Sequence, residues 1–245
     1  MRVMRRRWLA AAGVAIAIFQ AGFAPAQGAD RGDREPSGRG FLLAGVRRLD
    51  LDDLNDRLVR HSYPALSGSM LSLGGAGWAV RGRLMIGGEG HGLIGSSKTT
   101  SNGALRTGLT AGYGMLDLGY RAYQRDELEI YPMLGLGAGG VVLQIAERSA
   151  PTFDDVLENP GRSARLSSAV FLLSPSVGLD YRFSGHRLRY GQGGPAVGLR
   201  LGYIFSTTSG DWRLDDRNDV SNAPELGLGG PFITLMLGGW GERRD

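Results

Sequence analysis

Apolar residues occupy every second position through residues 169–183. Ala169, Phe171, Leu173, Pro175, Val177, Leu179, Tyr181 and Phe183 fall on one face, while Ser174, Ser176, Gly178, Asp180 and Arg182 fall on the other. A period of two is that of a strand whose two sides meet different surroundings. Val197, Leu199, Leu201, Tyr203 and Phe205 alternate in the same way with Ala196, Gly198, Arg200 and Gly202. Leu105, Leu109, Ala111, Tyr113 and Met115 oppose Arg106, Gly108, Thr110, Gly112 and Gly114. In residues 84–94, Leu84, Ile86 and Ile94 share a face, and Glu89 and His91 lie on the other. Further runs at 41–47, 67–80, 127–146 and 226–240 bring the expected total to about eight strands. Several reach the ~9–11 residues that cross a bilayer on a tilt. The expected arrangement puts the apolar half of each alternation outside, all around a closed wall.

The links between these runs alternate in length. Residues 49–66, 148–165 and 206–225 are long, 96–102 is moderate, 184–194 is intermediate, and the links at 81–82 and 124–126 are tight. An antiparallel barrel that crosses an outer membrane has short turns on the periplasmic side and longer loops outside. The first long link carries one helical signal. Leu51, Leu54 and Leu58 form a stripe across residues 50–61, with Asp50, Asp52 and Asp53 at its start and Arg57, Arg60 and His61 at its end. That charge order suits the helix dipole, and Pro64 stops the pattern. A short amphipathic helix packing on the barrel rim is expected.

Composition sharpens the picture. Glycine supplies 41 of 245 residues and sits inside apolar runs such as residues 133–142. It destabilises ordinary elements, but fits a narrow barrel whose inward positions must be small. Arg2, Arg5, Arg6 and Arg7, an uncharged stretch from Trp8 to Phe23, and Ala24-Pro25-Ala26 have the layout of a secretory signal cleaved after Ala26. Residues 27–38 read as a flexible polar leader and 39–245 as the barrel domain. The Arg31-Gly32-Asp33 tripeptide in the leader is read as a chance match. Removing four of 28 basic residues leaves 24 against 24 acidic ones. A near-neutral chain without a clustered basic face gives no reason to expect nucleic acid as a partner. There is no cysteine, so no disulfide, thiol chemistry or cysteine metal site is available.

On this pattern the stretch from Gly40 to Trp240 resembles the small outer-membrane β-barrels, of the OmpA-transmembrane, OmpX and OmpW-like kind. The resemblance implies an all-β fold: a single antiparallel up-and-down barrel of about eight strands, with one short helix in the first long loop. It also implies an outer-membrane location, outer-membrane lipid as surroundings and the barrel-assembly machinery as a partner during insertion. That group commonly ends in an aromatic residue. Here Trp240 is followed by Gly-Glu-Arg-Arg-Asp245, so Trp240 is the candidate for a displaced terminal aromatic. Tyr120, Tyr123, Tyr131, Tyr181, Tyr203 and Trp240 are the expected interface aromatics, since their rings are apolar while their tips seek water.

The candidate chemistry is sparse. Gly135, Gly137 and Gly140 spell a dinucleotide-type glycine pattern, but at this glycine density, inside a strand pattern, the match carries no cofactor expectation. Glu89, His91, Arg106, Asp180, Arg182 and Arg200 form the expected lumenal polar cluster, with Glu89 in salt-bridge range of one of the arginines. Charges in a narrow lumen need partners, because burying one alone is costly. Asp154, Asp155, Asp211, Asp215, Asp216 and Asp219 are read as solvated loop charge, with no regular metal-ligand spacing. His61 and Ser62 near one rim lack a third catalytic partner. No metal, cofactor or catalytic residue is therefore expected. The expected role is a non-enzymatic outer-membrane protein with a structural, surface-loop or narrow-pore function. The alternatives are a soluble periplasmic barrel binding an apolar ligand, and a small outer-membrane lipid-modifying enzyme.

Overall fold

The computed structural model describes residues 37–100, 105–147, 163–188, 191–206, 212–215, 218–224 and 226–243. Eight long strands form the wall: β1 (Ser37–Arg48), β2 (Ser69–Arg81), β3 (Leu84–Thr99), β4 (Leu105–Tyr120), β5 (Leu128–Glu147), β6 (Ser163–Arg182), β7 (Gly191–Ser206) and β8 (Gly230–Arg243). Each pairs antiparallel with its sequence neighbours. β1 pairs with β8 from Ser37↔Glu242 to Arg47↔Phe232, which closes the sheet on itself. Closure removes the exposed edges that an open sheet would present. β1 begins at Ser37, inside the stretch expected to be leader, and β8 begins at Gly230 rather than at Leu226.

The tight β2–β3 turn at Gly82-Arg83 and the two other short links lie at one end, with both ends of the chain's wall. The longer links lie at the other. Short extensions decorate the wall: Tyr123–Arg125 continues beside β5, and Arg213–Leu214 pairs with β6 above the end of β7. Between Leu173 and Ser176 the β6–β7 ladder is interrupted. Pro175 lies in that gap, where it has no N–H to donate.

Parity decides which side chains face out. Leu42 (71% exposed), Leu116 (77%) and Phe171 (65%) project from the wall, together with Leu71, Leu73, Ile86, Ile94, Leu136, Val177, Leu201, Ile233, Leu235 and Leu237. These residues come from all eight strands. A contiguous apolar surface of that extent has no place in water. β4 departs from expectation. Leu109, Tyr113 and Met115 point into the barrel and are buried, while Leu116, Leu118 and Tyr120 carry its outer face. The apolar half of that alternation faces inward because the upper lumen is itself apolar.

That upper lumen is filled from above. Helix α1 (Asp52–Arg60) buries Leu54 and Leu58. Leu49, Leu51, Leu66, Trp212, Leu226 and Leu228 from the loops join Met70, Leu93, Leu109, Val141, Val170 and Ile204 of the wall in one apolar cluster. The helix therefore packs into the mouth rather than onto the rim. Asn55 fixes it there: its Nδ2 donates to the Leu66 carbonyl at 3.1 Å, and its Oδ1 accepts from the Leu66 N–H at 2.7 Å. A second apolar cluster near the short turns contains Phe41, Trp78, Val80, Met85, Tyr131, Met133 and Met236.

Glycine faces both ways. Gly135, Gly178, Gly198 and Gly202 lie inward against larger neighbours, and a Cβ at Gly178 would overlap the Tyr131 ring. On β3 and β4, by contrast, Gly88, Gly90, Gly92, Gly112 and Gly114 share the outward parity of Ile86 and Leu116. The expectation of small inward positions thus holds for part of the glycine content only. Gly135, Gly137 and Gly140 all lie within β5, which continues as strand to Glu147, so the strand-to-helix turn of a dinucleotide site is not formed at them.

Candidate functional site in the barrel interior

Two polar networks occupy the lumen. The first is held by β2, β3, β4 and β7, whose inward parity brings Ser72, Glu89, His91, Asp117 and Arg200 together. Arg200, 2% exposed, pairs with Glu89. Its Nη1 also donates to the Met133 sulfur at 3.4 Å. Asp117 Oδ2 accepts the Trp78 indole N–H at 2.9 Å. His91 Nδ1 and Ser72 Oγ are 2.8 Å apart. On the other side of the ring, Nε2 lies 3.4 Å from Glu89 Oε2, in ion-pair range but without hydrogen-bond alignment. Tyr113 stacks on the imidazole at 4.6 Å. Above it, the Arg47 guanidinium sits 4.7 Å from the Tyr113 ring centre and donates to the Leu228 carbonyl at 2.6 Å. A cation against an aromatic face recovers part of what burial costs it.

The second network lies beside the short turns. Glu129, fully buried, accepts Arg39, Arg121 at 3.3 Å and Arg182 at 3.2 Å. Arg39 also reaches Asp180 at 3.2 Å, and the Tyr131 hydroxyl donates to Asp180 at 2.9 Å. Arg182 continues to Glu242 at 3.2 Å and lies over the Trp240 ring, so that β5, β6 and β8 are tied together at this end. Across both networks Arg39, Arg47, Arg121, Arg182 and Arg200 are balanced by Glu89, Asp117, Glu129, Asp180 and Glu242. Arg39, Arg121, Arg182 and Arg200 are ion-paired, whereas Arg47 rests on the Tyr113 ring and the Leu228 carbonyl, and Asp117 on the Trp78 indole N–H; such contacts offset part of the cost of burial.

Glu89, His91, Asp180, Arg182 and Arg200 therefore all face the lumen, but in two networks rather than one cluster. Arg106 does not join them. It has the outward parity of Gly108 and Leu116, stands opposite Thr99 and Ala146, and donates to Ser97 Oγ at 2.9 Å. Among the aromatics, Tyr120, Tyr123, Tyr181 and Tyr203 are exposed on the outer surface. Tyr131 is not; its odd position on β5 turns it inward to Asp180. Trp240 also has inward parity, opposite Arg39, and donates its indole N–H to the Phe183 carbonyl at 3.3 Å. For both, strand parity rather than aromatic character decides the side of the wall.

Arg39, Arg47, Ser72, Asp117 and Glu129 are the interior residues that the sequence reading missed. A parity signal was available for two of them: Asp117 shares a face with Leu109, Tyr113 and Met115, and Glu129 with Tyr131. Ser72, His91 and Glu89 together have the residue types of an acyl-transfer triad. Ser72 is 1% exposed and lies below the apolar plug, so no substrate carbonyl can approach its hydroxyl in this state. His61, with its ring exposed, stands apart from this group. Among the described residues, no three His, Asp or Glu side chains gather as metal ligands. Asp154, Asp155, Asp211 and Asp216 lie outside the described residues. Asp219 is exposed and pairs with Arg213 at 3.4 Å.

No protein-family model matches the sequence, and neither does any curated protein. Among solved structures the chain is similar to Ail, the attachment invasion locus protein of Yersinia pestis, at 13% identity over 86% of this chain and 99% of that one, with a TM-score of 0.43. It is similar to Neisserial surface protein A at 10% identity over 87% and 100%, with a TM-score of 0.41. It is also similar to the outer membrane protease OmpT of Escherichia coli at 9% identity over 89% and 99%, with a TM-score of 0.40. These are likenesses of fold, and the membrane assignment rests on the barrel's own exterior. A closed antiparallel wall satisfies its backbone internally, its apolar side chains face outward on every strand, and tyrosines stand at the margins of that belt. The chain is a closed antiparallel β-barrel whose exterior is that of a membrane-spanning wall.

Proposed function

We propose that this barrel serves as a closed, non-enzymatic scaffold that anchors its long outer loops in the membrane. The observation that carries this reading is the doubly filled lumen. Leu51, Leu54 and Leu58 of the α1 segment, with Trp212, Leu226 and Leu228, fill the outer mouth, while arginines converge on Glu129 near the other end. An eight-stranded barrel has an interior just wide enough for side chains, and among the described residues both ends of this one are occupied by buried side chains. A lipocalin-like carrier needs the reverse surface, polar outside with an apolar cavity inside. The buried Ser72–His91–Glu89 group acts in this reading as a structural polar bridge between β2 and β3.

Conductance across a planar lipid bilayer tests the proposal. Purified, heat-modifiable barrel is expected to insert without stable conductance steps. Reproducible unitary steps from the wild-type protein would replace the scaffold reading with a pore.

A further inference from the structure

At the long-loop end a cavity of about 540 Å³ opens on the outside of the wall, between its last outward row and the chain entering α1. Strand register defines its floor. Tyr203 pairs with Pro231, Arg48 pairs with Ser69, and Arg48 adjoins Pro231 one step past the final β1–β8 pair, Arg47↔Phe232. These four exposed residues therefore form one outward row across β7, β8, β1 and β2. The next row down is wholly apolar and exposed: Leu201, Ile233, Val46 and Leu71, joined pair by pair in the ladder. Leu49 and Leu51 turn into the mouth cluster, which leaves Asp50 and Asp52 lining the cavity beyond Arg48. Asp50 Oδ1 accepts the Asp52 N–H at 3.1 Å. Among the described residues, no ion pair engages Arg48, Asp50 or Asp52, so charges of both signs share the cavity unpaired.

Successive outward positions on a strand are roughly 6.7 Å apart. The headgroup layer of a bilayer adds about 5–8 Å to each side of the hydrocarbon. Arg48, one outward position beyond Val46, thus falls within that layer, and Asp50 lies farther out. Tyr203 in the same row has the amphipathic ring favoured at that level. The order away from the belt is apolar row, guanidinium, carboxylates. A phospholipid with an amine-bearing head has the complementary order: acyl chains, phosphate, ammonium. Arginine takes phosphate in a planar two-point contact, and an ammonium offers three donors to carboxylates. From this match we infer that the cavity seats the zwitterionic phosphate–ammonium head of a phospholipid, with its acyl chains laid along Val46, Leu71, Ile233 and Leu201. One cation against two carboxylates leaves the cavity net negative, which disfavours an anionic head. The inference rests on the membrane-spanning reading and goes beyond it by naming the head that this part of the rim selects.

Lipid retained from vesicles tests it. Wild-type protein is reconstituted in equimolar phosphatidylethanolamine and phosphatidylglycerol of matched chains, floated with the vesicles, and released into mild detergent for native mass spectrometry. The singly lipidated barrel should carry phosphatidylethanolamine about fivefold more often than phosphatidylglycerol. D50N/D52N should bring that ratio to one or below, because Arg48 remains while both carboxylates are gone; asparagine keeps an oxygen for the first-turn N–H. D53N/D56N removes two exposed carboxylates of α1 that do not line the cavity, and should leave the ratio unchanged. R48Q should reduce retention of both lipids together. All variants should keep the heat-shifted gel mobility of a folded barrel. Equal retention of the two lipids by the wild type, a preference that survives D50N/D52N, an equal loss in D53N/D56N, or retention unchanged by R48Q overturns the inference while leaving the membrane assignment intact. Folded wild-type protein that does not float with the vesicles overturns the membrane assignment itself.

Discussion

Arg200 shows how much of the interior depends on pairing. It and Glu89 are nearly inaccessible to solvent, and each would be an uncompensated charge without the other. Removing one partner of such a pair costs about 3–5 kcal/mol, whereas removing both is far milder. Arg200→Met should therefore lower stability by about 3 kcal/mol, measured by urea unfolding in lipid vesicles. The E89Q/R200M double variant should recover at least about 1 kcal/mol relative to the sum of the singles. Strict additivity would mean that the two charges are solvated separately. At this scale the sequence was legible where parity is unambiguous, as for Glu89, His91, Asp180 and Arg200. It was misleading for Tyr131, Trp240 and Arg106, because aromatic or charged character alone does not say which side of the wall a residue occupies.

Strands and links were readable for a physical reason. Alternation reports a two-sided environment directly, and β6 and β7 kept the outward faces that their sequences imply. β4 did not, because it is apolar on both sides in different halves: Leu109, Tyr113 and Met115 meet the plug, while Leu116, Leu118 and Tyr120 meet the exterior. Only the depth of the plug, set by α1 and residues 226–228, decides that. The helix itself was visible in its leucine stripe, but its docking partner was not, since the contact joins segments far apart in sequence. The chain has no cysteine, so the plug can be probed with a single thiol. Thr107→Cys, at a fully buried inward position near the mouth, should react slowly with a maleimide in the folded barrel. Adding L54D/L58D should unseat α1 and speed labelling about tenfold, by making local opening easier. Equal rates with and without the aspartates would show that α1 does not close the mouth.

For the molecule as a whole, the sequence marked a closed wall with loops gathered at one end, and the structure added what fills it. The exterior is apolar, the interior holds five arginines and five carboxylates among the described residues, and leucines seal the mouth at the long-loop end. An aqueous barrel would reverse the first two properties. The most direct test is a nitroxide scan along β8, one cysteine at a time through residues 233–237, in the reconstituted protein. Positions 233, 235 and 237 should collide readily with oxygen and poorly with an aqueous nickel reagent, while 234 and 236 should be shielded from both. Ready access of the nickel reagent to 233, 235 and 237, or the opposite parity, would contradict a wall that faces hydrocarbon.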